Sequence, residues 1–315
     1  MFVSDFNTGL LADTPSPYAG DLTAFLRHAR LLNECFSGET RHVLRQLSAG
    51  GIKHCQFSDI PVTEAIPPTK TDYVRRIPKQ TFESEGVIGA ASLELGRLFG
   101  YEETSKYVMY DIYPVQGYEE SRSFVNSRKE LAFHSDGSAH LELSPDYVLL
   151  YCIRSDPGAI NLVADLDVLI RELPATVVDV LMRPVFKHLV SQSPERYDLK
   201  PVLFSEGRKF AVKYDEENVS GLNEEAITAQ NILNDRLRRV AVEVSNTENS
   251  LLIINNKRCL HARTSFTPKF DGADRWIKGA FVTKSGIRNG AILSLPLQKS
   301  NDKAMDRSNT VGGLE

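Results

Sequence analysis

The sequence predicts a mostly β core with a helical N-terminal layer and helical insertions. Up to about residue 100, apolar side chains recur at helical spacing. From about Tyr107 the chain becomes a series of short β-branched or aromatic stretches bounded by Pro, Gly, Asn or Asp. These stretches do not alternate regularly with helices, which argues against a parallel βαβ sheet. Neither G-x-G-x-x-G nor GxxxxGK[ST] occurs, so no phosphate-cradling loop is indicated.

Asp21 to Leu32 is expected to form a helix with Asp21 as its cap, and a second, short helix follows Gly38 until Ser48-Ala-Gly-Gly breaks it. Gly86 to Leu98 is expected to be a third helix, with Gly100 as its stop. Strands are expected at Tyr107–Tyr113, Tyr147–Ile153, Val202–Leu203, Lys209–Tyr214, Leu251–Asn255 and Trp276–Thr283. Helical insertions fall at Asp165–Leu173 and Asn223–Glu243. The organisation expected is one domain over residues 1–298, with 1–105 as the helical layer and 106–298 as the core. Residues 299–315 are polar and read as a flexible tail.

Composition narrows the function. Of 315 residues, 42% are hydrophobic, enough for a substantial core, and 25% are charged, as in soluble domains. The net charge of -4 and the lack of a Lys/Arg run argue against nucleic acid, whose phosphates need a clustered basic face. No stretch approaches the roughly 20 apolar residues that span a bilayer, and the first eleven residues lack a signal peptide's basic and apolar regions. Four scattered cysteines without a CxxC pair fit a reducing cytoplasm. A monomer or homodimer acting on a small molecule is expected.

The chemistry concentrates in three segments. In Leu131-Ala-Phe-His134-Ser-Asp136, a His and a carboxylate two residues apart on an extended chain project to the same side. In Leu251-Leu-Ile-Ile-Asn-Asn-Lys-Arg-Cys-Leu-His261-Ala-Arg263, an apolar strand turns back at Asn255-Asn256-Lys257 and returns carrying His261. Two His and one carboxylate with open positions opposite suit non-haem Fe(II). In Asp274-Arg275-Trp276-Ile277-Lys278-Gly279, Arg275 follows His261 by 14 residues (275 − 261) on the next strand. A guanidinium there can pair bidentately with a carboxylate inside an apolar core. His140 is the competing ligand near the HxD pair. A catalytic zinc could use the same three ligands, but a zinc hydrolase has no use for Arg275. A binding protein that senses a small acid through the same pocket is the non-catalytic alternative.

Together these segments resemble the clavaminate synthase-like group of Fe(II)/2-oxoglutarate oxygenases, which includes hydroxylases of free asparagine, arginine and lysine. The resemblance runs from about Tyr107 to Thr283 and includes Tyr113-Pro-Val-Gln-Gly, Ser144-Pro-Asp-Tyr-Val, Lys213-Tyr-Asp215 and Asn255-Asn-Lys-Arg-Cys-Leu-His-Ala-Arg-Thr-Ser-Phe. It implies a double-stranded β-helix (jelly roll) with iron held by His134, Asp136 and His261. Arg275 would hold the far carboxylate of 2-oxoglutarate. Asn161, 25 residues after Asp136, falls near a position where relatives help to bind that co-substrate. Asp215 falls where relatives place a substrate-facing acid, although Asp215-Glu-Glu-Asn also reads as a solvated turn. Arg263 reads as a structural or rim residue that could capture substrate charge. The reaction implied consumes O2 and 2-oxoglutarate, releases succinate and CO2, and hydroxylates, desaturates or epoxidises an unactivated C–H.

Two departures from the group's pattern bear on substrate. The amino-acid hydroxylases usually carry HxE, whose Glu also meets the substrate amine; here the ligand is the shorter Asp136. They also usually carry a second Arg four residues after the first, where this chain has Gly279, which is expected to open space in the pocket. Lys278 is expected to point to the other face. Both changes remove handles for a free amino acid, so the expected substrate is an amino-acid derivative with masked termini. A cyclic dipeptide from an antibiotic pathway, of the kind oxidised in bicyclomycin biosynthesis, fits. A free L-amino acid is the alternative.

Overall fold

The computed structural model describes residues 8–18, 22–102, 104–138, 144–192, 195–207, 209–284 and 286–293. It is mostly β with helices. Helices α1 (Thr8–Ala12), α2 (Thr23–Glu34) and α3 (Gly38–Ala49) precede strand β1 (His54–Phe57), helix α4 (Glu83–Leu93) and strands β2 (Arg97–Tyr101), β3 (Met109–Ile112), β4 (Leu131–His134), β5 (Tyr147–Arg154) and β6 (Asn161–Asp165). Helices α5 (Leu166–Glu172) and α6 (Ala175–Leu181) follow, then β7 (Phe186–Gln192), β8 (Glu195–Lys200), β9 (Leu203–Glu206), β10 (Lys209–Val212) and β11 (Val219–Gly221). Helix α7 (Glu224–Val240) leads to β12 (Val242–Val244), β13 (Ser250–Asn255), β14 (Cys259–Arg263), β15 (Trp276–Thr283) and β16 (Ala291–Leu293).

Two sheets position the site. The larger runs β1-β13-β5-β15-β2-β16, with β3 also paired to β15, and the smaller runs β12-β6-β14-β4. Strict alternation along the strands divides the apolar residues into two sets. Val148, Leu150 and Cys152 of β5 share one buried cluster with Leu252 and Ile254 of β13 and with Val163 and Cys259 of the smaller sheet. The alternate residues, among them Leu149, Tyr151, Ile253 and Val282, pack outward against Val87, Ile88 and Ala91 of α4. On the far side of the smaller sheet, Leu260 and Ala262 pack against Leu233 and Leu237 of α7.

Local signals set several boundaries. Ser37 caps α3 by accepting from Thr40 N at 3.1 Å, and Gly50 ends it at φ 74°. Asp165 and Asn223, the expected first residues of the two insertions, are the N-caps of α5 and α7.

The first hundred residues depart from their expected helical reading, because β1 and β2 are members of the larger sheet. The third helix also ends earlier than expected. Gly96 and Gly100 do not stop a helix; they let the backbone pass close to its neighbours. A Cβ on Gly96 would collide with the carbonyl of Thr283, and one on Gly100 with that of Tyr107. The expected tail at 299–315 and the competing ligand His140 lie outside the described residues.

Candidate active site

His134 ends β4 and His261 lies on β14, and the two are directly opposed in the antiparallel register. Their rings are 4.3 Å apart between centroids. Asp136 follows in the turn after β4, with Oδ2 3.4 Å from His261 Nε2. One ligand atom from each of the three residues lies within 4.8 Å of the others. The strand pairing thus joins two segments far apart in sequence at one point.

Neighbouring groups hold these side chains in place. His134 Nδ1 lies 2.8 Å from the carbonyl of Ala132, which leaves Nε2 as the free donor atom. Asn256, 2% exposed, grips the Asp136 backbone from both sides. Its Oδ1 accepts from Asp136 N at 2.8 Å, and its Nδ2 donates to the carbonyls of Asp136 at 2.9 Å and Pro145 at 3.0 Å. Asn256 was visible in the sequence only as part of a turn, and its role depends on a partner 120 residues away. Ser135 N donates to the Tyr214 carbonyl at 2.9 Å, so the segment between the two candidate ligands is also tied down.

The electrostatics favour a cation. Burial works to raise the Asp136 carboxyl, but the hydrogen bond and charge of His261, with His134 behind it, hold it below the usual carboxylate value. Burial, reinforced by the charge of His134, lowers His261 against the pull of Asp136, which favours the neutral form that ligates metal. Its Nδ1 is buried without a hydrogen-bond partner. Two imidazoles and one carboxylate on one side of a point fit Fe(II).

Arg275, 4% exposed, precedes β15. Its Nε is buried without a partner, and among the described residues no carboxylate forms an ion pair with it. Burial lowers its guanidinium to about 10, and Cys152 and Asp156 act in the opposite direction. A buried, unpaired guanidinium is costly unless an anion joins it.

Arg263 and Asp215 take the structural alternatives expected for them, and Gly279 departs from its expected role. Arg263, 3% exposed, is committed to the backbone: it donates to the carbonyls of Asn126 at 2.9 Å, Thr264 at 3.1 Å and Lys129 at 3.1 Å, and also to Asn126 Oδ1. Its guanidinium also lies 4.8 Å over the Phe266 ring, so it braces the wall and is not a free handle for substrate charge. Asp215 closes its own turn, accepting from Glu217 N at 3.0 Å, Asn218 N at 3.2 Å and Asn218 Nδ2 at 2.8 Å. It meets the site through its β-bridge to His134, not through a free carboxylate. Gly279 does not leave open space, because the ring of Tyr110, its partner on β3, fills it. A Cβ on Gly279 would lie 2.5 Å from Tyr110 Cζ.

Asn161, 6% exposed, pairs in register with Arg263 and donates to Asn246 Oδ1 at 2.8 Å. Lys278 does face the outer side of the larger sheet. It is fully buried there, paired with Asp111 and 3.6 Å from Glu85. Trp276 joins it, donating Nε1 to Asp111 at 2.7 Å. The four cysteines are free thiols. Among the described residues, no helix is long and apolar enough to cross a membrane.

The fold and the convergent triad define a non-haem iron oxygenase, and comparison with known proteins agrees. Residues 88–281 match the taurine catabolism dioxygenase TauD, TfdA family. Clavaminate synthase 2 of Streptomyces clavuligerus is 28% identical over 297 residues, spanning 90% of this chain and 90% of that protein. L-lysine 3-hydroxylase of Catenulispora acidiphila is 25% identical over 258 residues, 75% of this chain and 68% of that protein. L-asparagine oxygenase of Streptomyces coelicolor is 31% identical over 199 residues, 60% of this chain and 58% of that protein. Among solved structures, an asparagine oxygenase in complex with Fe(II), 2S,3S-3-hydroxyasparagine and succinate superposes with a TM-score of 0.79 at 24% identity, covering 91% of this chain and 93% of that one.

The chain belongs to the TauD/TfdA family. It is a 2-oxoglutarate-dependent dioxygenase that uses Fe(II), 2-oxoglutarate and O2. This membership sets aside the zinc hydrolase and the non-catalytic binding protein.

Proposed function

We propose that this dioxygenase oxidises an unactivated C–H of a neutral amino-acid derivative, with a cyclic dipeptide as the type of substrate. His134, Asp136 and His261 would hold the iron, and Arg275 would bind the far carboxylate of 2-oxoglutarate. The observation that carries the assignment is the combination of a buried Arg275, whose Nε is without a partner among the described residues, with three ligand atoms within 4.8 Å of one another. The whole described chain would act as one oxygenase unit, its two sheets forming the halves of a double-stranded β-helix like those of its structural relatives.

When bound, the iron and its co-substrate supply the oxidising power, converting 2-oxoglutarate and O2 to succinate and CO2 as the C–H is oxidised. The protein's part is placement. His134 and Asp136 are pinned by the Ala132 carbonyl and by Asn256, so they need little reorganisation on binding a cation. Arg275 would orient the co-substrate by pairing with its carboxylate, and Asn161 lines the same wall beside Arg263. The apolar residues of the interior exclude water.

A neutral substrate is supported by two cations that, among the described residues, are already committed elsewhere. Arg263 is committed to backbone carbonyls, and Lys278 is buried on the opposite face with Asp111 and Glu85. The likeness to clavaminate synthase 2 supports a place in antibiotic biosynthesis. A free amino acid is the second reading, favoured by relatives named as hydroxylases of lysine and asparagine. Incubation with Fe(II), 2-oxoglutarate and a panel of free amino acids and cyclic dipeptides, with succinate as the readout, separates the two. Coupled oxidation of a free amino acid alone would overturn the neutral-substrate reading.

A further inference from the structure

Resting on the proposed neutral substrate, we infer that Tyr110 determines specificity: its ring occupies the space above Gly279, and its hydroxyl offers an uncharged hydrogen bond to a substrate amide beside the metal site. The geometry begins with the strand register. Gly279 and Tyr110 are cross-strand partners on β15 and β3. A Cβ on Gly279 would lie 2.5 Å from Tyr110 Cζ, 2.6 Å from Cε2 and 2.9 Å from the hydroxyl oxygen. The hydroxyl end of the ring therefore sits directly against the glycine, a placement that only a residue without a side chain permits.

The surroundings of the ring are aromatic and neutral. Phe281 lies 4.8 Å from Tyr110 and Phe124 6.3 Å between ring centroids, and Tyr101 continues the cluster 5.3 Å beyond Phe281. Tyr110 is 7% exposed, so most of its ring is enclosed by these neighbours. A phenol in such a wall can donate one hydrogen bond. The ring belongs to the same buried cluster as Val163, the register partner of His261, which places it on the metal side of the interior. A hydroxyl in an aromatic wall on the metal side of the interior is suited to recognise a ligand.

The chemistry of that ligand follows from the wall. Of the two inward arginines, Arg263 is saturated by backbone carbonyls, and Arg275 is assigned to the co-substrate. A substrate carboxylate placed against Phe281, Phe124 and Tyr110 would be buried without a counter-ion. An amide carbonyl would instead accept from the phenol while an apolar flank packs on the rings.

The test uses the full chain loaded with Mn(II), which does not turn over, and 2-oxoglutarate. The protein is titrated by calorimetry with cyclo-dileucine, N-acetyl-leucinamide and free leucine. Wild type should bind the two neutral probes, and free leucine at least roughly tenfold more weakly. Tyr110→Phe should weaken the neutral probes by roughly tenfold, the scale of one buried hydrogen bond, with 2-oxoglutarate affinity unchanged. Gly279→Arg should disrupt the site by collision with the ring, whereas Gly279→Arg combined with Tyr110→Ala should bind free leucine better than the neutral probes. The inference is overturned if Tyr110→Phe binds like wild type, if free leucine binds as well as the neutral probes, or if none of the probes binds. Failure of 2-oxoglutarate itself to bind would instead mark the co-substrate assignment as wrong.

Discussion

His134 and His261 are directly opposed residues of β4 and β14, separated by 127 positions in sequence (261 − 134), with ring centroids 4.3 Å apart. The pair is therefore set by strand register. Shifting β14 by one residue would turn His261 to the far face among Leu260 and Ala262 and leave no site. Because the pairing is a backbone property, the histidine side chains can be removed without dismantling the sheet. His134→Ala is expected to abolish Fe(II)-dependent succinate production while shifting the melting temperature of the metal-free protein by only a few degrees. Retained activity in the folded variant, measured beside circular dichroism, would disprove the ligand assignment.

Asn256 acts through Asp136 without being a ligand candidate itself. Asn256→Ala removes three hydrogen bonds and leaves the Asp136 amide and two carbonyls without their side-chain partner. Supporting residues of this kind typically change metal affinity by about 10- to 100-fold, the expected effect here. Added Fe(II) should restore most of the lost rate. An activity loss that metal titration cannot reverse, with no change in metal affinity, would contradict the positioning role.

Arg275→Ala should raise the Kd for 2-oxoglutarate by about 100-fold, because a buried carboxylate would lose a charged partner worth roughly 3 kcal/mol. Among the described residues Arg275 has no ion-paired carboxylate to orphan, so stability should hold or rise slightly. Calorimetric titration with 2-oxoglutarate and a melting curve check both halves.

The buried charges under the larger sheet predict an acid response. Burial alone would raise the Glu85 carboxyl, but Lys79, 2.7 Å away, and Lys278 hold it down to about 2. The folded value thus lies below the ordinary 4.5. Its contribution to stability is fully present above pH 4.5 and is lost as pH falls through about 2. Glu85→Gln should cost about 3 kcal/mol at neutral pH, as when a buried pair is broken. It should also flatten the loss of stability below pH 4.5. Urea unfolding of both proteins at pH 7 and pH 3 would show it, and parallel curves would refute it.

The sequence by itself determined the elements whose reasons are local. Asp165 and Asn223 announced two helix starts because their side chains cap amides two or three residues ahead. Trp276–Thr283 was legible over its full length, because a central strand buried on both faces is mostly apolar, Lys278 being its one charged residue. The three candidate ligands and Arg275 could be picked out because their residue types and order are chemically informative.

Only the tertiary structure decided what depended on distant partners. β1 and β2 joined the larger sheet because β13 and β15 offered them edges, although their own sequences lie among helices. Arg263 became a brace because Asn126 and Lys129 come within reach of it. Gly279, alone in the sequence, read as open space. Antiparallel pairing put Tyr110 opposite it, and close packing left no room for a void there. A side chain's absence is local information, but what fills the space depends on which strand lies alongside.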